Sequence, residues 1–118
     1  MKCLLNILDK CSNHHTNMWF DDENDLWQDA CEEFVELNNK ERKEFFDLYA
    51  TQNNRWKILC VDMIARCCRY KVNNYKLDKT TIRFIKNTNF KELECENTTG
   101  FTEDDLYRNI NTIIKYVD

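Results

Sequence analysis

The chain has 118 residues, with no proline, one glycine, seven cysteines, fifteen asparagines and a formal net charge of −4. A chain of this length builds one domain, so residues 1–118 read as a single unit. Apolar residues at 42 % and charged ones at 32 % suit a packed core and exclude wholesale disorder. The scarcity of Gly and Pro excludes turn-rich sandwiches and propellers, Gly-rich phosphate loops and dinucleotide fingerprints. The remaining class is all-α: a bundle of about six helices around a buried central one.

Along the chain, Cys3, Leu4, Ile7, Leu8 and Cys11 recur at helical spacing and predict a first helix over 2–11. Its apolar run is broken by Asn6 and ended by Asp9. A secretory segment needs roughly 7–15 apolar residues, so this start does not read as one. Residues 12–20 read as a polar and aromatic loop. Asp21 or Asp22 then caps a second helix with its stripe at Leu26, Trp27, Ala30, Cys31, Phe34 and Val35. Asn38-Asn39 breaks the pattern, and Asn39 is the expected cap of a third helix over about 40–52 carrying Phe45, Phe46, Leu48 and Tyr49.

A second pair, Asn53-Asn54, precedes the most apolar segment, residues 55–72. Its polar residues Asp62, Arg66 and Arg69 fall on one narrow stripe. A helix apolar around most of its circumference is buried by neighbours on several sides, so this one is expected at the centre. Residues 78–86 read as a helix capped by Asp78, although Thr80-Thr81-Ile82-Arg83-Phe84-Ile85 also suits a strand. Residues 87–101 read as a connection holding the one glycine, Gly100. Thr102 then opens a closing helix with Leu106, Tyr107, Ile110, Ile113, Ile114 and Val117 along its stripe.

The net charge conceals three blocks. Residues 1–50 carry 5 basic and 12 acidic side chains, residues 51–91 carry 10 and 2, and residues 92–118 carry 2 and 7. These blocks either face one another within the domain or expose a basic surface to an acidic partner or to nucleic acid. For nucleic acid the expected residues are Arg66, Arg69, Lys71, Lys76, Lys79 and Arg83, with Trp56, Tyr70, Tyr75 and Phe84 interleaved. The acidic flanks weigh against phosphate.

Other chemistry finds little purchase in the sequence. Asp21 to Glu32 mimics a calcium loop, but Leu26 stands where the loop needs glycine. Cys11, His14 and His15 offer three zinc ligands without a second closely spaced pair. Cys67 and Cys68 are adjacent on a helix and diverge. A catalytic thiol such as Cys31 or Cys95 would need His14 or His15 as its base. No cofactor or resident metal is expected, and the cysteines fit reduced, apolar filler. Met18-Trp19-Phe20 is either a lid on the core or a partner-binding patch. The candidate partner residues are Trp19, Phe20, Trp27, Phe45, Tyr49 and Arg55.

High Asn, Ile and Lys with almost no Pro or Gly suggest an AT-rich genome. Two stretches carry a family likeness: Lys57-Ile58-Leu59-Cys60-Val61-Asp62-Met63-Ile64-Ala65-Arg66-Cys67-Cys68, and Phe101-Thr102-Glu103-Asp104-Asp105-Leu106 with Ile113-Ile114-Lys115-Tyr116-Val117. They resemble the buried central helix and the closing helix of the small Bcl-2-like proteins of poxviruses. The resemblance covers about half the chain. It implies a Bcl-2-like bundle and a non-enzymatic cytoplasmic protein that sequesters a host cell-death or innate-signalling protein or a helical segment of it; a homodimer is also open to such a chain. The expected alternatives are a nucleic-acid-associated helical protein using residues 51–91, and a small metal- or thiol-dependent enzyme.

Overall fold

The computed structural model describes residues 2–13, 21–50, 54–89 and 103–116; the side chains of residues 2, 12, 13 and 21–25 lie outside that description. Within it the chain forms α1 (Lys2–Asn13), α2 (Asp21–Glu36), α3 (Asn39–Phe45), α4 (Asn54–Tyr70), α5 (Lys79–Asn87) and α6 (Glu103–Ile114). A single π-helical turn, Phe46–Ala50, extends α3, and a 3-10 turn, Val72–Asn74, follows α4. No strand occurs among the described residues, so 79–87 is helix. The all-α bundle expected from composition is what forms. Its radius of gyration is 12.9 Å, near the ~13.5 Å of a single core of this length.

Asparagine and aspartate do the capping that glycine and proline do elsewhere. The cap of α3 is Asn38, one residue earlier than the sequence pattern suggests. Asn38 Oδ1 accepts from the Glu41 amide at 2.8 Å, and Glu41 Oε1 accepts from the Asn38 amide at 3.1 Å. This reciprocal pair satisfies two otherwise orphaned amides. Asp78 caps α5, accepting from the Thr81 amide at 3.1 Å and the Thr81 hydroxyl at 2.6 Å.

The inward side of α3 continues into the π turn. Phe45, Phe46 and Ala50 are buried together, and Leu48, part of the expected stripe, is 59 % exposed. At about 100° per residue Leu48 lies outside the arc that Phe45, Phe46, Tyr49 and Ala50 share.

The packing centres on α4. It lies against α2 and α6, with α1 outside α2 and α3 beside α5. Ten of its seventeen residues are buried, including the continuous run Ile58 to Ala65. The stripe of α6 is narrower than its sequence suggests: Leu106, Ile110 and Ile113 face in, whereas Tyr107 and Ile114 face solvent.

One of the ten is charged. Asp62 has a side chain 4 % exposed. Arg66 Nε donates to Asp62 Oδ2 at 2.9 Å, and Asn109 Nδ2 of α6 donates to Oδ1 at 2.9 Å. The polar stripe on α4 is therefore internal at Asp62, where it meets α6, and reaches solvent at Arg69.

A second buried cation sits at the other end of α2. Arg42 donates through Nη2 to the Val35 carbonyl at 2.9 Å and through Nε to the Phe34 carbonyl at 3.5 Å. Its Nη1 lies 3.5 Å from Asp78 Oδ1. Its guanidinium also rests over the rings of Phe34 and Tyr75, 5.3 and 5.6 Å from their centroids. One side chain thus joins the end of α2, α3 and the cap of α5.

Two stability changes follow from this packing. Leu59→Ala and Ile64→Ala, both at positions with no solvent exposure, are each expected to lower the unfolding free energy by ~2–5 kcal/mol in urea titrations. Arg66→Met strands a buried carboxylate and should cost ~3–5 kcal/mol, part of which the Asp62→Asn/Arg66→Met double variant recovers by removing that charge.

Candidate binding surfaces

Two concave sites lie on different sides of the α4 framework. The first, about 500 Å³, opens between α2, the end of α4 and the 3-10 turn, and Trp27, Cys31, Glu32, Arg66, Tyr70 and Lys71 are among its lining residues. Trp27 is buried, and Arg66 is held over its ring with Cζ 4.7 Å from the centroid. Gln28 donates to Glu32 at 3.3 Å on the α2 side. The opposite rim has an unusual backbone. Lys71, Asn73 and Asn74 all adopt left-handed conformations with φ of 49°, 49° and 60°. Such φ values are uncommon for residues other than glycine, and most of all for a long side chain such as Lys71.

The second site, about 340 Å³, is a cleft between α3, the start of α4 and α5. Lys43, Lys57 and Arg83 line it, one cation from each helix, with Asp47 as its one carboxylate. Its floor is the pair Phe46 and Phe84, stacked with centroids 4.5 Å apart and planes at 8°. At its far end the Thr88 hydroxyl donates to the Phe84 carbonyl at 2.7 Å and closes α5.

The expected partner residues do not share one surface. Trp19 and Phe20 lie outside the described residues. Trp27 walls the first cavity. Phe45 is fully buried against Phe34, Phe46 and Tyr49, with centroids 6.4, 5.5 and 6.3 Å away. In this conformation it packs the core and offers no ring to a partner. Tyr49 is half-buried beside it, and Arg55 is half-buried in the first turn of α4.

The expected nucleic-acid residues are also divided. Arg66 is committed to Asp62 inside the protein, and Arg69 reaches Asn109 Oδ1 at 3.5 Å. Lys71 stands on the rim of the first cavity, while Lys76 and Lys79 are exposed on the approach to α5. Of the six, Arg83 alone lines the basic cleft. Lys43 was missed because it lies in the acidic first block, between Arg42 and Glu44. No sequence signal places it near Arg83; the packing of α3 on α5 does.

The backbone from Asp21 is helical, so no calcium loop forms there. Cys11 is buried in α1, while His14, His15 and Cys95 lie outside the described residues. Among the described residues, no group of three His, Cys, Asp or Glu side chains is placed to hold a metal ion. Cys31 and Cys67 face each other across α2 and α4, with Cys31 Sγ 3.6 Å from the Met63 carbonyl and Cys67 Sγ 3.9 Å from the Cys31 carbonyl. The hydrogen bond with Cys31, and then burial, hold the Cys67 thiol well above the ordinary range. Burial does the same for Cys60 and pushes Cys68 up to about 11. Protonated thiols are poor nucleophiles and poor metal ligands.

No protein-family model, curated protein or solved structure matches the chain. What the two sites can do therefore rests on their own chemistry. The first combines an aromatic wall with a fixed guanidinium. The second combines three cations with a stacked aromatic floor.

The thiols give stability a definite pH dependence. Cys68 titrates at about 11 in the folded protein against an ordinary 9.0, so above pH 9 the unfolded chain has released a proton that the folded chain retains. Stability is full below that pH and falls as pH rises toward about 11. The urea midpoint should drop progressively between these limits. Cys68→Ala should flatten part of the fall, leaving the share that the raised Cys60, Cys67 and Tyr75 groups contribute.

Proposed function

We propose that this protein is a non-enzymatic binding module that captures an acidic, amphipathic helical segment of another protein in the cleft between α3, α4 and α5. The observation that carries the reading is the convergence of Lys43, Lys57 and Arg83 over the Phe46–Phe84 stack. Cations fix the register and speed the approach of an acidic segment, while the apolar floor takes its hydrophobic side chains. The protein acts by occlusion: a partner helix held in the cleft cannot engage its own target.

In biological terms we read the module as a viral inhibitor of host cell death or innate signalling, similar to the poxviral Bcl-2-like proteins. Support comes from the all-α bundle built round an apolar central helix, and from the AT-rich composition. The raised Cys60, Cys67 and Cys68 thiols are poorly suited to nucleophilic catalysis. Among the described residues no helix is long and apolar enough to cross a membrane. The division of the basic residues between two sites and an internal pair argues against a continuous phosphate-tracking face.

Affinity capture from host-cell extract tests the reading. Wild-type protein should retain a specific host protein, and the Lys43→Glu/Lys57→Glu/Arg83→Glu variant should lose it by about tenfold or more. Equal capture by both proteins, or binding of a generic oligonucleotide that survives about 200 mM salt, would overturn the proposal.

A further inference from the structure

The first cavity holds a cation with unspent hydrogen-bonding capacity. Arg66 uses Nε on Asp62, and its Cζ is fixed over Trp27. Its side chain is 12 % exposed, yet no described residue accepts from either Nη group. Because Arg66 lines the open cavity, these donors can be met there by water or by a ligand. Each oxygen of Asp62 has a donor, Oδ1 from Asn109 and Oδ2 from Arg66. The guanidinium is therefore anchored from behind and lines the cavity with its terminal fork unused.

The rest of the cavity indicates what the fork would hold. Lys71 adds a second positive charge from the left-handed rim, and a long side chain held at φ 49° is the kind of backbone strain that gathers at ligand sites. Glu32 on the α2 wall opposes a doubly charged group, so a singly charged one fits better. A guanidinium fork matches a planar carboxylate with two parallel hydrogen bonds. Trp27, Tyr70 and Val72 supply an apolar lining. A volume of about 500 Å³ is in the range of small-molecule sites.

We propose that this cavity is a carboxylate-binding site, with Arg66 and Lys71 holding the anionic end of a ligand whose apolar body lies along Trp27 and Val72. The carboxylate comes either from a small aromatic acid or from the C-terminus of a peptide ending in an aromatic residue. The site is separate from the basic cleft, and its occupancy does not depend on the function proposed for that cleft.

Two-dimensional NMR titration of the full chain tests it with two probes: indole-3-acetate for a free acid and acetyl-Ala-Ala-Phe for a peptide end. Each is paired with its neutral amide. At least one acid should shift the Trp27 indole and the amides of Lys71 and Val72, and its amide should bind about tenfold more weakly or not at all. Whichever acid binds more tightly identifies the source. Arg66→Lys keeps a charge beside Asp62 but removes the fork, and should weaken binding by about tenfold. Should that variant not fold, Lys71→Gln provides the same test from the exposed rim, with a loss of about threefold. The proposal fails if neither acid shifts these resonances at millimolar concentration. It fails equally if acid and amide bind alike, if the shifts map to the α3–α5 cleft, or if Lys71→Gln binds as the wild type does.

Discussion

The structure depends on burying α4 from several sides although one of its turns carries an ion pair. Leu59, Cys60, Val61, Met63, Ile64 and Ala65 have no solvent exposure, so the helix needs neighbours around most of its surface. Asp62 and Arg66 occupy the turn that remains. A carboxylate there is tolerable only with both oxygens satisfied, and two donors accomplish that: Arg66 from the same helix and Asn109 from α6. The pair therefore fixes where α6 docks along α4. It also sets the direction of the Arg66 fork, and with it the chemistry of the neighbouring cavity.

Arg42 plays the corresponding part at the opposite end. Its three nitrogens reach two carbonyls near the end of α2 and the carboxylate that caps α5. Phe34 and Tyr75 flank its plane. The arrangement draws α5 toward α3, which forms the wall between Lys43 and Arg83. Arg66 itself lines the first cavity, whereas Arg42 acts on the cleft from behind, by joining α3 to the cap of α5.

The two surfaces differ in kind. The α3–α5 cleft has two exposed cations, Lys43 and Arg83, and the half-buried Lys57 over an apolar floor, which suits a charged macromolecular segment. The α2–α4 cavity has one immobile, partly desolvated guanidinium beside an indole, which suits a small planar anion. The buried cysteines near the second of these are packing elements. For Cys67 the hydrogen bond with Cys31 and then burial, and for Cys60 and Cys68 burial, favour the neutral thiol.

Composition and periodicity alone determined the helical class, the central place of α4, the Asp78 cap and the acidic–basic–acidic order of the chain. Those features are local: apolar spacing, a capping side chain and a charge count are written in neighbouring residues. The capture of Asp62 by Asn109 47 positions away and the meeting of Lys43 with Arg83 were decided by tertiary structure. Each needs two segments distant in sequence to be brought together, and no stripe or spacing encodes that. The i,i+4 spacing of Asp62 and Arg66 is the same whether the helix face meets water or another helix. Only the docking of α6 against α4 distinguishes the two.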